Sequence, residues 1–481
     1  MQEPIVVLCK DRSMAWLICR LLRWRQVYSL SLPFDTPPET LLGLNPKGII
    51  VSAPLDEPGA MDGLDSRVLD SGLPVLALGG MASALCIRGG GQVSPVIYSS
   101  TPIPLTLSEH PLFQGMDLGG SVLPVLAPMH PAEGMLPIAA AGEDTIGCML
   151  AERPVYALQY PIERNDPDAA QILTNFAYEV CKCRADWNED IMIEQAVRII
   201  REGVPADGQV LCAISGGVDS AVCAKLASIA LGDRLSCIFV DTGLFRQGEV
   251  QAVVDEAQES LGLSVSCVDA RDTFLKTLAD IDGAEAKENT ASRLMRRTLT
   301  DHLRRHPELC GLVMGTNYSD VLYNDADADQ LDLKVTILEP IRHLFKDEVR
   351  RLATALGLPE TVANRQSFPS SGLALRIYGK VTEKRLNLLR AADSCFLDEI
   401  HEARLDKKLW QYFATLIQSP DAPGRYTICL RAIQASQGQG LAARLPFDLM
   451  ERVTARILAE IPDISRVVYD LSPSQRYGMP E

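Results

Sequence analysis

Three patterns in this chain predict an α/β protein whose centre is a doubly wound parallel sheet. First, VLCAI, LSCIFVD, LSVSCVD and CGLVMGT (310–316) read as buried-type strands separated by stretches of helical periodicity. Second, the decapeptide LCAISGGVDS (211–220) runs from such a strand into Ser215-Gly216-Gly217, and Asp219-Ser220 then open a helical stretch, AVCAKLASIAL. Third, the N-terminal part alternates short apolar strands with helical or loop stretches: IVVL (5–8), GIIVS (48–52), PVLAL (74–78) and VYALQY (155–160).

Taken in order, residues 1–186 read as one α/β layer domain, loop-rich or antiparallel around 95–137 where proline is frequent. Residues 186–205 have helical periodicity and lead into the central strand, and the parallel-sheet domain occupies 187–375. From 376 to 481 the pattern changes to a long helical stretch followed by the strands RYTICLRAIQA and RVVYDLS, which predicts a small α+β domain. The length suits several domains, each with its own core.

The formal net charge of −16 argues against a nucleic-acid partner, which needs a basic footprint. The thirteen cysteines show no regular framework and lie mostly in apolar runs, as small buried hydrophobes do in a reducing compartment. No charged leader precedes a long apolar run, and no stretch approaches about 18 apolar residues. A cytoplasmic protein without a membrane anchor is expected.

The central decapeptide carries the chemistry. Glycines at a strand-to-helix turn let backbone N–H groups approach an anion, and the helix N-terminus adds partial positive charge. Ser215 and Ser220 supply hydroxyl donors, and Asp219 can act as a cap or a magnesium ligand. Ser215, Gly216, Gly217, Val218, Asp219 and Ser220 thus form a candidate pyrophosphate cradle. The Walker spacing and its lysine are absent. SGGVDS instead resembles the signature of the ATP pyrophosphatases, which split ATP between the α- and β-phosphates and adenylate a carbonyl oxygen.

The resemblance extends along the whole chain to the glutamine-hydrolysing GMP synthetase family, which converts XMP to GMP. It is carried by SGGVDS (215–220), FVDTGLFR (239–246), MGTNYSDV (314–321), LEPIRHLFKDEVRRLATALGLP (338–359), the FP…GL…R frame of 365–393, LRAIQ (430–434) and ISRVVYDLS (464–472). The resemblance implies Mg-ATP as co-substrate and the cradle as its phosphate site. It also implies adenine near Val240, with Arg246, Gly315 and Thr316 around the nucleotide. Lys346 and Asp347 of FKDEV lie close by, and a C-terminal domain pairs two subunits into a homodimer. Catalytic roles are implied for Asp219, Lys346 and Lys334, the lysine shortly before the EP motif.

Departures from the family pattern fall at two places. Its N-terminal domain is a class I amidotransferase whose cysteine nucleophile sits in a G-[VI]-C-Y-G-M elbow. Here the stretch reads LALGGMAS, and aligning Gly80-Met81 puts Leu78 at the cysteine position. The family histidine falls on Pro161, and only Glu163 of that triad matches. The oxyanion loop reads Ser52-Ala53-Pro54-Leu55, where the proline has no N–H to donate. A catalytically inactive amidotransferase fold is expected, with Cys86 a core cysteine and His130 a structural or surface histidine.

The second departure is at the acceptor site. The family's lysine- and histidine-rich lid is missing, and YSDVLYNDADADQLDLKVTILEP joins the flanking motifs directly, its acidic run 325–329 reading as a solvated loop. The phosphate-contact loop reads Ser367 to Ala374, and the family's C-terminal tail is replaced by PSQRYGMPE, which ends at Glu481. Ser370, Ser371, Gly372, Arg376, Arg476 and Glu481 remain as candidate acceptor contacts, for a purine-type nucleotide at a remodelled site.

Three functions follow from these motifs. The first is amidation of an adenylated purine-type nucleotide with free ammonia or ammonia from a separate protein. The second is sulfur transfer to the same kind of acceptor from an external donor protein, for which Cys212, Cys310 and Cys395 stand as testable but unremarkable thiols. The third is a non-catalytic nucleotide-binding regulator.

Overall fold

A computed structural model describes residues 3–57, 59–98, 101–122, 125–160, 162, 167–323, 335–366, 368, 371–419, 422–436 and 439–472. The chain divides into two compact units, Met1–Ile191 and Met192–Glu481.

In the first unit, β1 (Ile5–Cys9), β2 (Ser29–Leu32), β3 (Gly48–Ala53) and β4 (Val75–Gly79) run parallel in the order β2-β1-β3-β4. β1 and β3 are buried from end to end, the pattern of parallel strands covered on both faces. Helix α1 (Arg12–Trp24) starts where the Asp11 carboxylate accepts the Ser13 N–H at 2.8 Å. The proline-rich stretch is antiparallel. β5 (Ile103–Leu107), β6 (Gly119–Val122), β7 (Met135–Ala141), β8 (Asp144–Leu150) and β9 (Val155–Leu158) extend the sheet as β4-β9-β8-β7-β5-β6. Only the β4–β9 contact in this extension is parallel.

Between β4 and helix α2 (Gly80–Arg88) the chain reverses at Gly79, with φ 59° and ψ −127°. A Cβ at Gly79 would lie 2.4 Å from the Ala53 carbonyl oxygen, and one at Gly80 2.2 Å from that of Pro54. Both the dihedral angles and the close approach require glycine.

The second unit follows helix α3 (Glu189–Glu202) with five parallel strands. They are β10 (Gln209–Ile214), β11 (Leu235–Asp241), β12 (Val265–Asp269), β13 (Leu309–Val313) and β14 (Thr336–Leu338), ordered β12-β11-β10-β13-β14. The connections run outward from β10 to β12 and then return to β13 on the other side. The C-terminal end of β10 is therefore the topological switch point, where open α/β sheets bind ligands. Helices α4 (Val218–Leu231), α5 (Glu249–Leu261), α6 (Ala284–Arg305) and α7 (Lys346–Ala355) belong to this layer. One expectation is corrected. LSVSCVD forms an edge strand, not a buried one, with Ser266 and Cys267 exposed, because β12 has a neighbour on one side only.

Helix α8 (Glu383–Glu402) then leads into an antiparallel run, β15 (Gln411–Gln418), β16 (Tyr426–Ser436) and β17 (Gln439–Ala442). Helix α9 (Phe447–Glu460) returns the chain to β18 (Ile464–Tyr469), which pairs parallel with β16. No packing gap separates this sheet from the parallel one. Leu244, Phe274 and Leu312 share one apolar cluster with Ile377, Leu386, Leu416 and Val453.

Replacing Gly79 with alanine is expected to cost about 2 kcal/mol or more, since it combines a strained dihedral with a backbone clash. Urea denaturation of Gly79→Ala against the parent checks this.

Candidate active site

The cradle forms because β10 stops at Ile214 and the chain crosses Gly216 at φ 86° before α4 begins. Gly217 is the N-cap residue and offers no side chain, so no cap side chain bonds the first-turn N–H groups. Val218 and Ser220 are buried. Only the backbone of Val218 faces the turn chemistry, its side chain being part of the core. The Ser220 hydroxyl donates to the Gly217 carbonyl at 2.9 Å and accepts from the Ser215 N–H at 3.1 Å. The Ser215 hydroxyl lies 3.1 Å from it and 3.4 Å from the Gly217 nitrogen. In the ligand-free loop these hydroxyls hold the loop together rather than standing free.

Asp219 receives the Lys346 ammonium at 2.6 Å, from the first residue of α7. Its other carboxylate oxygen, Oδ1, is buried without a hydrogen-bond partner among the described residues. Asp320 stands nearby and accepts the Asn317 N–H at 3.0 Å; burial, and the Asp219 charge to a lesser degree, raise its pKa. Gly315 packs against this corner, where a Cβ would sit 3.3 Å from the Asp219 backbone, and Thr316 follows it. The switch point thus gathers Ser215 to Ser220, Gly315, Thr316 and Lys346. Val240 is buried in β11, next to the central strand.

A second cluster lies where the segment after 370 meets the C-terminal sheet. Asp393 of α8 is 1% exposed and accepts the Ala414 N–H and the Arg246 Nε–H, both at 2.8 Å. Arg376, 6% exposed, brings Nη1 to 3.7 Å from the same carboxylate. Its guanidinium stacks between Phe368 and Phe413, 4.9 and 4.5 Å from the ring centres, and Arg246 lies 5.1 Å from Phe368. Burial pulls the Arg376 pKa down to about 10 against the opposing pull of Asp393. Arg246 Nη2, Arg376 Nη1 and the fully buried Ser371 hydroxyl have no hydrogen-bond partner among the described residues. Two guanidinium ions converge on the Asp393 carboxylate, with Glu249 accepting the Arg246 backbone N–H at 2.9 Å, and the cluster keeps donors unsatisfied among the described residues. That is the composition of an anion site.

Local backbone fixes this cluster. Gly372, at φ 58°, leaves only 2.5 Å between a would-be Cβ and the Leu244 carbonyl oxygen, and that carbonyl accepts the Leu373 N–H at 2.8 Å. Behind it, the buried Lys287 of α6 donates to the carbonyls of Ile377 and Gly379 at 2.6 Å each and Ala374 at 3.3 Å. Burial lowers its pKa. Asp393 and Lys287 were not signalled by the sequence. Each occupies an ordinary position of a charged helix, and their partners lie up to 147 residues away. Arg246, expected around the nucleotide, donates to Asp393 beside Arg376.

In the first unit, Leu78 is a buried β4 residue in register with Ser52 and Leu158. The sharp turn falls one residue later, on Gly79. Cys86 is inaccessible and burial raises its pKa; His130 bonds the Ser94 hydroxyl at 3.0 Å. Cys212 is raised well above the usual thiol range by the hydrogen bond it donates to its neighbour Cys237 and by burial. Burial pushes Cys395 up to about 11. The Cys310 thiol points at the Gln209 carbonyl, 3.3 Å away. Lys334, Ser370, Arg476, Glu481, Pro161, Glu163 and the acidic run 325–329 lie outside the described residues.

The family model described as NAD synthase matches residues 192–416, and that described as GMP synthase C terminal domain matches 398–476. A glutamine-hydrolyzing GMP synthase of Carboxydothermus hydrogenoformans is 34% identical over 98% of both chains. Those of Thermomicrobium roseum and Geobacillus kaustophilus are 35% and 34% identical, over 98% of this chain and 95% and 98% of theirs. The chain belongs to the GMP synthase family. The expected α/β class and the ATP pyrophosphatase motif stand with that membership.

Removing Asp393 leaves the buried Arg376 and the half-buried Arg246 without their shared carboxylate. Asp393→Ala is expected to lose about 3–5 kcal/mol of stability. The urea midpoint of the variant, read with the denaturant slope, measures it.

Proposed function

We propose that this protein is an ATP pyrophosphatase that adenylates a carbonyl oxygen of a purine nucleotide such as XMP. It then replaces that oxygen with nitrogen from ammonia supplied in solution or by another protein. The observation that carries the reading is the pairing, in one compact unit, of a backbone phosphate cradle with a buried cationic cluster of unsatisfied donors. One suits the pyrophosphate of ATP; the other suits the phosphate of an acceptor nucleotide.

The first-turn N–H groups of α4 and the Gly217 N–H receive the β- and γ-phosphates, and Ser215 and Ser220 reorganise toward them. Lys346 turns from Asp219 to the phosphate chain, with Lys334 proposed as a second cation. Asp219 Oδ1, buried and unpartnered, fits a magnesium ion or its bound water, which supplies charge neutralisation when present. Arg376, Arg246, Ser371 and Gly372 hold the acceptor, with Ser370, Arg476 and Glu481 as further candidates. The acceptor oxygen attacks the α-phosphorus in line and pyrophosphate departs. Ammonia then adds at the activated carbon, loses a proton and expels AMP. Positioning and fixed charge supply the rate.

Glutamine is not the nitrogen source on this reading, although the relatives' names carry that activity. The elbow turn carries a glycine at its apex and a buried leucine before it, so either alignment leaves no thiol there. Division into 1–186, 187–375 and 376–481, with the last part pairing two copies, is proposed from the resemblance. Among the described residues no helix is long and apolar enough to cross a membrane.

The test offers purified protein Mg-ATP with XMP, IMP or GMP and then ammonia, glutamine or sulfide, weighing the base product by mass spectrometry. AMP and GMP from XMP with ammonia, and none with glutamine, is the expected outcome. Glutamine-dependent GMP would sink the inactive-glutaminase part, a sulfur-for-oxygen mass shift would replace nitrogen transfer, and no AMP with any acceptor would leave a binding protein. Lys346→Met should lower kcat by about 10²-fold or more, as expected for a lost charge contact made to the transition state. Arg376→Met should act chiefly on the acceptor KM.

A further inference from the structure

Arg365 touches the candidate phosphate cradle from outside it. Its Nη1 donates to the Gly216 carbonyl at 2.5 Å, while Nη2 is paired with Glu256 of α5. Both partners are largely shielded, the arginine side chain 27% and the glutamate 19% exposed. The Arg365 backbone is held in turn. Its N–H donates to the Val362 carbonyl at 3.2 Å, and Arg350 of α7 donates to the Ala363 carbonyl at 2.8 Å beside it.

The carbonyl it grips is the critical one. Gly216 sits at φ 86°, where glycine alone is relaxed, and Val253 of α5 leaves only 2.7 Å for a Cβ. Such a residue is free to reorient its peptide unless something holds it. In a trans peptide the C=O of Gly216 and the N–H of Gly217 point in opposite directions. A carbonyl fixed toward Arg365 therefore aims the Gly217 N–H to the other side, where it already lies 3.4 Å from the Ser215 hydroxyl. That is the inner side of the cradle. With its guanidinium engaged by Gly216 and Glu256, Arg365 works on the backbone, not as a phosphate ligand.

We propose that Arg365 is a positioning residue of the cradle: by holding the Gly216 carbonyl it presets the Gly217 N–H toward the pyrophosphate of bound ATP. This rests on the reading of residues 215–220 as a pyrophosphate site.

The experiment is calorimetric titration of the full chain with magnesium pyrophosphate and, separately, with AMP, which lacks the leaving group. Arg365→Gln should weaken pyrophosphate binding by about tenfold or more, the scale of a charge-assisted hydrogen bond, and leave AMP within about twofold. Arg365→Lys, which keeps one charged donor, should recover part of the loss, and Glu256→Gln should show a smaller loss of the same kind. Pyrophosphate affinity unchanged in Arg365→Gln would overturn the proposal, as would equal weakening of pyrophosphate and AMP, the mark of a general structural role. Should Arg365→Gln not fold, Arg365→Lys and Glu256→Gln decide by the same ratio. A parent protein that binds no pyrophosphate refutes the cradle itself, an outcome distinct from a parent that binds and a variant that binds equally well.

Discussion

The carboxylate of Asp393 is the constraint on which the second unit turns. It is almost wholly buried, and it ties three segments that are remote in sequence: the loop after β11 through Arg246, the segment after Gly372 through Arg376, and β15 through the Ala414 N–H. A buried carboxylate is unfavourable unless its oxygens are satisfied. Here one oxygen takes a backbone N–H and the other a guanidinium, so the charge is stabilised only when all three segments are in place. The apolar cluster around it supplies bulk cohesion, but the charge network decides which arrangement of those segments is stable.

The arrangement is deliberately incomplete. Two guanidinium ions share one carboxylate, and three donors remain unsatisfied among the described residues. Each such donor costs about 1–3 kcal/mol of stability in the empty protein. On the proposed reading, an anionic group entering the cluster would recover that cost on binding, so stability forgone in the free state would reappear as affinity. The cradle at the end of β10 follows the opposite strategy. Its serine hydroxyls satisfy one another and the loop carbonyls, so the loop is shaped before the ligand arrives. A shaped loop loses little conformational freedom on binding, which suits a site that must align a phosphorus atom for in-line attack.

What the sequence made legible was the local part. SGGVDS could be read because strand, glycine turn and helix are contiguous, and a backbone anion site is written in consecutive residues. The long-range part was not readable. Asp393 and Lys287 look like surface charges of amphipathic helices, and only tertiary packing turns one into the anchor of two arginines and the other into a clamp on three carbonyls. The position of Arg246 after FVDTG does not reveal that its side chain reaches a helix residue 147 positions further on. Strand LSVSCVD reads as buried in the sequence because alternating Val and Ser cannot reveal which strand lies at the edge. Edge position is a property of chain order, not of composition.

The elbow shows the same limit at single-residue scale. Matching Gly80-Met81 to the family's Gly-Met pair puts Leu78 at the cysteine position, while the backbone angles put the apex of the turn on Gly79. In a catalytic elbow the nucleophile itself must occupy the strained region, at a cost of roughly 1–3 kcal/mol for a residue with a Cβ. A glycine at that point carries no such strain and, on the proposed reading, no nucleophile. The surrounding contacts, Ala53 and Pro54 pressed against Gly79 and Gly80, now admit no side chain at either position. On the proposed reading, restoring a glutaminase would therefore take more than one substitution: a cysteine at 79 would have to displace the end of β3 before it could react.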